Sequence, residues 1–210
     1  MTRLSTLDLR RAIGREEFDH PQLVSVLSSY DAVQQKIHEL LKSGTIVRVK
    51  KGLYVFGPKI REKPISKENL ANLIYGPSCV SMEYALSYHG LIPERVEIIT
   101  SVTPKKNKEF NTPIGLFTYK RIPPSKYPHE IEQRWMDSQH PILIASPEKA
   151  LCDYIVLNDV SLTSSSSVKN FLEFDLRIEP ESWQRFDLKK LLLLSKYYKS
   201  SSVLALVEAM

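Results

Sequence analysis

The sequence predicts an α+β protein. A basic, mostly helical N-terminal domain, residues 1–60, precedes a mixed α/β domain, residues 61–210, with a helical C-terminal tail. Three observations carry this reading. Apolar residues recur at helical spacing from Leu4 to Leu41 and then give way to two β-rich runs, "TIVRV" and "LYVF". A polar, proline-bearing stretch, "GPKIREKPISKEN", separates those runs from a second series of capped helices and strands. The segments "VKNFLEF", "DLKKLLLLSKYY" and "SSVLALVEAM" read as helices to the C-terminus. At 210 residues the chain is comfortable for two domains, and 42% hydrophobic with 25% charged residues is ordinary for a globular protein.

In the N-terminal part, "LSTLDLRRAIG" places Leu4, Leu7, Leu9, Ala12 and Ile13 on a first short helix ending at Gly14. "FDHPQLVSVLSS" offers Asp19 as N-cap and Pro21 in the first turn of a second helix, with Leu23, Val26 and Leu27 as its apolar side. The stretch "SSYDAVQQKIHELLKSG" is the third helix. Val33, Ile37, Leu40 and Leu41 make one face of it, and Gly44 closes it. At about 100° per residue the opposite face carries Asp31, Gln35, His38, Glu39 and Lys42, with Gln34 on its shoulder. Between "TIVRV" and "LYVF", the turn "KKG" gives Gly52 the freedom to take a positive φ. Three helices followed by a two-stranded hairpin form the winged helix-turn-helix pattern.

The body begins with "SKENLANLIYGP", a helix capped by Ser66, and "CVSMEYALSYHGLIP", a helix capped by Ser81 and stopped at Gly90. "VEIITSVTP" and "GLFTYKRIP" are β-rich, with "NKEFNTPIG" between them expected as a turn. "HPILIASPEKALCDYIVL" reads as a strand then a helix, with Ser146 as N-cap, Pro147 at its first position and Glu148 facing its positive end. "LTSSSSV" is expected to be a polar loop, Ser164 to Ser167 being its flexible residues. In the tail, Leu188, Leu191, Leu192 and Ser195 share a face that Leu193 and Leu194 widen. This predicts a helix buried broadly in the core or covered by a partner.

Net charge is +5, and ten cations against six acids in residues 1–60 place +4 of it there. A basic end on a nearly neutral body points to an acidic polymer as partner. Cys79 and Cys152 form neither a zinc pattern nor a disulfide framework and are expected as small buried residues. No apolar run is long enough for a membrane span, and "MTRLSTLDLRRAIG" lacks a signal core, so a cytoplasmic location is expected. His89 at a helix end is suited to a carbonyl or to the helix dipole. Glu148, Lys149 and Asp153 resemble nuclease pieces but sit on a capped helix rather than on a strand with an upstream Asp. No phosphate loop, dinucleotide fingerprint or nucleophile elbow is present, so no catalytic residue, metal or cofactor is assigned.

These residues suit a third helix that enters a major groove, with a wing that neutralises flanking phosphates. Gln is able to make a bidentate contact to adenine there. The residues assigned to DNA contact are Ser29, Tyr30, Gln34, Gln35, His38 and Lys42 from the helical segment, with Arg48, Lys50 and Lys51 from the hairpin. Two other classes stand beside this reading. One is a nucleic-acid-processing enzyme targeted by the winged helix, with Glu148 and Asp153 as its acids. The other is a protein-docking scaffold.

The chain resembles the AbiEi-type antitoxins, transcriptional regulators of bacterial type IV toxin–antitoxin systems. The N-terminal helices, "GTIVRVKKGLYVF", "CVSMEYALSYHGLIPE" with "ITSVTP", and "ASPEKALCDY" carry the resemblance, in the family's order, over most of residues 20–157. The resemblance implies a winged helix that represses its own operon at promoter repeats in double-stranded DNA. It implies a remainder that counteracts a nucleotidyltransferase-type toxin, often without a lasting complex. It supplies no catalytic residue.

Overall fold

The computed structural model describes residues 5–135 and 140–210; Arg3 and Leu4, expected on the basic surface and in the first helix, lie outside the described residues. The protein is mixed α+β, with one three-stranded and one six-stranded sheet among the described residues.

Helix α1 (Thr6–Ile13) starts in a reciprocal cap between Ser5 and Asp8 and ends at Gly14, whose φ is +70°. Strand β1 (Glu17–Asp19) follows, a short element that the sequence reading missed. Asp19 then caps α2 (His20–Val26) by accepting from the Gln22 amide at 2.8 Å, and Pro21 sits in the first turn as expected. Helix α3 (Val33–Lys42) leads into the hairpin of β2 (Ile46–Lys50) and β3 (Leu53–Phe56). β1 pairs with β3, so the antiparallel order is β1-β3-β2. Gly57 donates its amide to Thr45 O at 2.8 Å and lies so close to Gly44 that a Cβ on it would meet Gly44 O at 1.8 Å. The return of the chain past α3 therefore requires glycine at 57.

β3 is buried on both faces, because alternate residues enter different cores. Tyr54 and Phe56 join Leu9, Phe18, Leu23, Leu27, Ile37, Leu40 and Ile46 beneath the N-terminal helices. Leu53 and Val55, with Val49 of β2, join the core of the body alongside Leu70, Ala71 and Ile74. The expected domain boundary at residue 60 falls in a segment held by two buried carboxylates. Glu16 Oε1 accepts from the Lys63 and Glu62 amides at 2.8 and 3.2 Å, and Glu17 Oε1 accepts from the Ser66 amide at 2.9 Å. The other Glu17 oxygen meets His140 Nε2 at 2.8 Å.

The body begins with α4 (Lys67–Ile74), capped by Ser66. Its sheet has the order β6-β7-β5-β4-β9-β8, built from β4 (Cys79–Val80), β5 (Ile99–Thr103), β6 (Lys108–Thr112), β7 (Gly115–Arg121), β8 (Ile131–Trp135) and β9 (Pro141–Ala145). β5–β7 and β4–β9 pair in parallel, while β4–β5 at the centre and β6–β7 and β8–β9 at the edges are antiparallel. Tyr119 of β7 reaches α4, donating its phenol to Ala71 O at 2.6 Å. Helix α5 (Met82–Tyr88) packs along α6 (Pro147–Leu157), which has the Ser146 cap and Pro147 start read from the sequence. The C-terminal elements are α7 (Ser165–Asn170), a π-helical turn at Phe171–Asp175, α8 (Pro180–Trp183), α9 (Leu188–Tyr198) and α10 (Ser201–Ala209).

Several expectations need correction. "NKEFNTPIG" is not simply a turn: Lys108–Thr112 is edge strand β6, whose exposed charged side chains hid it, and the turn is confined to Pro113 and Ile114. β8, on the opposite edge, escaped notice for the same reason. The serine run is not a flexible loop, because Ser164 caps α7 in a reciprocal pair with Ser167. On α9 the buried side is Leu191, Leu194 and Tyr198, while Leu188, Leu192 and Leu193 remain exposed. Ser81 holds the N-cap position of α5 without capping it, since its hydroxyl donates to Asp153 Oδ2 at 2.7 Å.

Because β3 serves both cores, the segments should unfold together. Leu53→Ala should cost about 2–5 kcal/mol, as for other buried leucines cut to alanine. It should lower one shared transition in urea, followed both by Trp fluorescence, which reports only the body, and by far-ultraviolet circular dichroism. Two separated transitions would contradict the shared core.

Candidate nucleic-acid interface

Helix α3 is amphipathic in the sense the sequence predicts. Ile37 and Leu40 are buried, while Gln34, Gln35, His38, Glu39 and Lys42 are exposed. The helix begins only at Val33, because Ser28–Ala32 form turns and the Tyr30 amide returns to Leu27 O at 3.0 Å. Ser29, Tyr30 and Asp31 thus precede the helix rather than share its face. Ser29 is exposed, and half-buried Tyr30 packs on the N-terminal core with the Lys36 ammonium 5.3 Å from its ring centre. Lys36 also pairs with Glu39 at 3.4 Å, a surface contact that offsets the acid on the exposed face but adds little stability.

On the hairpin, Arg48 and Lys51 are exposed, with the Arg48 guanidinium 5.9 Å from the Tyr54 ring centre. The turn is short and anchored: the His20 amide donates to Gly52 O at 2.9 Å, and Gly52 has φ +84°. Lys50 departs from its expected place. Its ammonium is half-buried and donates to Ile74 O at the end of α4, so it faces the body rather than open solvent. Burial lowers its pKa, and the Lys108 and Lys105 charges lower it further. Arg10, counted among the basic residues, is also inward, paired with Glu16 at 2.6 Å and lying over the Phe56 ring. The inward cations Arg10 and Lys50 are matched in number by buried Glu16 and Glu17, so the positive surplus of this segment belongs to its remaining residues.

The residues that resemble nuclease pieces form a buried network. Lys149 and Asp153 are 0% exposed and lie 3.3 Å apart. Tyr198 OH accepts from Lys149 at 3.0 Å and donates to Asp153, which also accepts from Ser81. Glu148 is also buried and accepts from the Asp187 amide at 2.9 Å. The network ties α5, α6 and α9 together, and its acids have no access to a phosphodiester at the surface. Among the described residues, no group of three or more His, Cys, Asp or Glu is placed to hold a metal ion. The cysteines are buried, and burial pushes the Cys79 thiol up to about 12. His89 Nε2 meets Ala145 O at 2.8 Å, and burial holds its imidazole below the usual range.

A cleft of about 730 Å³ lies between α5, β5, β7 and the π-helical turn. Glu83, Glu94, Glu97 and Asp175 outnumber Arg95 and Lys120 around it, so this face does not attract polyanions. Among the described residues, no helix is long and apolar enough to cross a membrane. No family model matches the chain, and no curated protein matches it.

Removing Asp153 alone should be severe. Asp153→Ala leaves the Lys149 charge buried and unpaired, a loss of about 3–5 kcal/mol, whereas Lys149→Met with Asp153→Leu, Tyr198→Phe and Ser81→Ala, which leaves no buried polar group of the network without a partner, should recover most of it. Urea unfolding of the three proteins measures the difference.

His89 should set part of the pH dependence. Its folded-state pKa lies below the ordinary 6.5, so its contribution is present above pH 6.5 and is lost as pH falls through the folded value. His89→Gln should therefore flatten the loss of stability as pH falls below about 6.5.

Proposed function

We propose that the chain is a DNA-binding antitoxin and transcriptional autorepressor of the AbiEi type, counteracting a nucleotidyltransferase-type toxin. The observation that carries the DNA half is the exposed polar face of α3, bearing Gln34, Gln35, His38 and Lys42, on a unit that also presents Arg48 and Lys51 from its hairpin. The order α1-β1-α2-α3-β2-β3, with β1 closing against β3, reads as a winged helix-turn-helix. In that reading α3 enters the major groove, its glutamines read adenine edges, and Arg48 and Lys51 hold phosphates. The toxin half rests on the resemblance of "CVSMEYALSYHGLIPE", "ITSVTP" and "ASPEKALCDY" to the family, and on a body with its own sheet and helices.

Titration of the full chain against duplex from its own upstream region, beside random duplex, tests the DNA half. The expected gain on the true site is roughly 10³-fold or more. Gln35→Ala should cost about 1–3 kcal/mol on that site and much less on random duplex. Lys51→Ala should weaken both equally and reduce the slope of log K against log salt by about one unit. Equal affinity for both duplexes sinks the repressor, and absence of salt-dependent binding leaves a protein-docking module. Co-expression with a toxin encoded next to the chain tests the other half: continued growth is expected, and arrest rejects it.

A further inference from the structure

We propose that the cleft between α5, β5, β7 and the π-helical turn binds a small organic cation, an aliphatic amine whose carbon body lies on the apolar lining and whose ammonium group meets Glu83, Asp175 and the Tyr154 ring. This goes beyond the DNA and toxin reading and does not depend on it.

The cleft has the size of a small-molecule site, about 730 Å³ against a usual range of roughly 300–1,000 Å³. Met82, Ile92, Val96, Ile98 and Leu176 give it an apolar lining. Met82 and Leu176 are buried, whereas Ile98 is 44% exposed, an isoleucine left open in a concave surface. Met82 also takes φ +57°, the left-handed conformation that residues with a side chain seldom adopt. Such strain, like a π-helical turn, collects at ligand sites. Thr118 donates to Thr100 Oγ1 at 3.2 Å and keeps its lone pairs for a donor brought by an occupant.

The carboxylates of the cleft are not equivalent. Glu97 pairs with Arg95 at 3.0 Å and with Lys67 at 3.6 Å, and Glu94 pairs with Arg177. Among the described residues, Glu83 and Asp175 have no ion-pair partner. Both act on Tyr154: burial raises the pKa of its phenol, and the Glu83 and Asp175 charges raise it further. Two unpaired acids thus approach one aromatic ring from different elements. Glu83 has a structural role, since an acid in the first turn of α5 favours the helix dipole. Asp175 has no such role, because it closes the π-helical turn, where the backbone is already negative. An ammonium group beside Tyr154 answers both charges and meets a ring that attracts cations.

The sheet excludes one kind of occupant. β5 and β7 are interior strands, each hydrogen-bonded to a neighbour on either side, so they offer the cleft side chains and no free edge. A peptide held by main-chain pairing has no strand to join. Lys120, exposed on β7, is the group that an anionic occupant would use instead.

The test uses the full chain with isotope-labelled methionine methyl groups. Met82 lines the cleft, and its signal is assigned by its loss in Met82→Leu. Hexylamine, which is protonated at neutral pH, should shift that signal saturably. 1-Hexanol, of equal carbon length, should bind about tenfold more weakly, and hexanoate should not bind. Glu83→Gln and Asp175→Asn should each weaken hexylamine by roughly three- to tenfold and leave hexanol unchanged. Asp175 is exposed, so its variant keeps the test decisive if Glu83→Gln fails to fold. A still Met82 signal, equal affinity for amine and alcohol, or binding of hexanoate overturns the proposal. Binding of a capped Ala-Lys-Ala peptide without binding of hexylamine also overturns it and makes the cleft a peptide groove. The duplex titration tests the DNA reading separately, so either result stands without the other.

Discussion

Strand β3 has no solvent side. Its four residues send Tyr54 and Phe56 into one core and Leu53 and Val55 into another, and both neighbouring strands pair with it. Short strands are usually half-buried, with one apolar face. Here the two faces are claimed by two sets of helices, which fixes register twice. A slip of one residue would put Tyr54 where Leu53 belongs and Leu53 under the N-terminal helices. The close approach of Gly57 to Gly44, the anchored turn at Gly52 and the carboxylates at 16 and 17 all hold this strand in place.

Charge inside the molecule follows one pattern. Glu16 and Glu17 are buried at the seam and held by backbone amides, Arg10 and His140, every Glu16 contact being made through Oε1. Lys149 and Asp153 are buried in the body and satisfied by each other, Tyr198 and Ser81. Such groups add little net stability, because desolvation consumes most of what pairing returns. Their effect is directional: a carboxylate needing two amides accepts only one path of the connector, and a buried lysine accepts only one seating of α9. The polar residues of the body that look most like catalytic pieces are thus used to choose a packing.

Capped, strongly periodic elements were legible in the sequence. α2, α4 and α6 carry Asp19, Ser66 and Ser146 at their starts, and each cap is formed. The hairpin was legible from β-branched runs around Gly52. What escaped lacked local signals. β1 is three residues long and exists because β3 offers it an edge. β6 and β8 are outer strands dressed in charge, which reads as loop. Ser81 looks like any other cap, and only the arrival of Asp153 from 72 residues away diverts its hydroxyl. Within the candidate site, the polar face of α3 followed from periodicity. The inward turn of Lys50 did not, since its partner is a carbonyl 24 residues on.

The two-sided strand also decides what can be exchanged between related chains. A recombination joint in the connector would cut the sequence where it looks most permissive. It would still leave a foreign hairpin against the native α4, with Leu53, Val55 and Lys50 facing partners selected for another surface. The natural cassette runs from the N-terminus through Ile74, so that the hairpin travels with the helix it leans on. A graft joined there would preserve the contacts of Leu53, Val55 and Lys50 with α4 that a graft at residue 60 would sever.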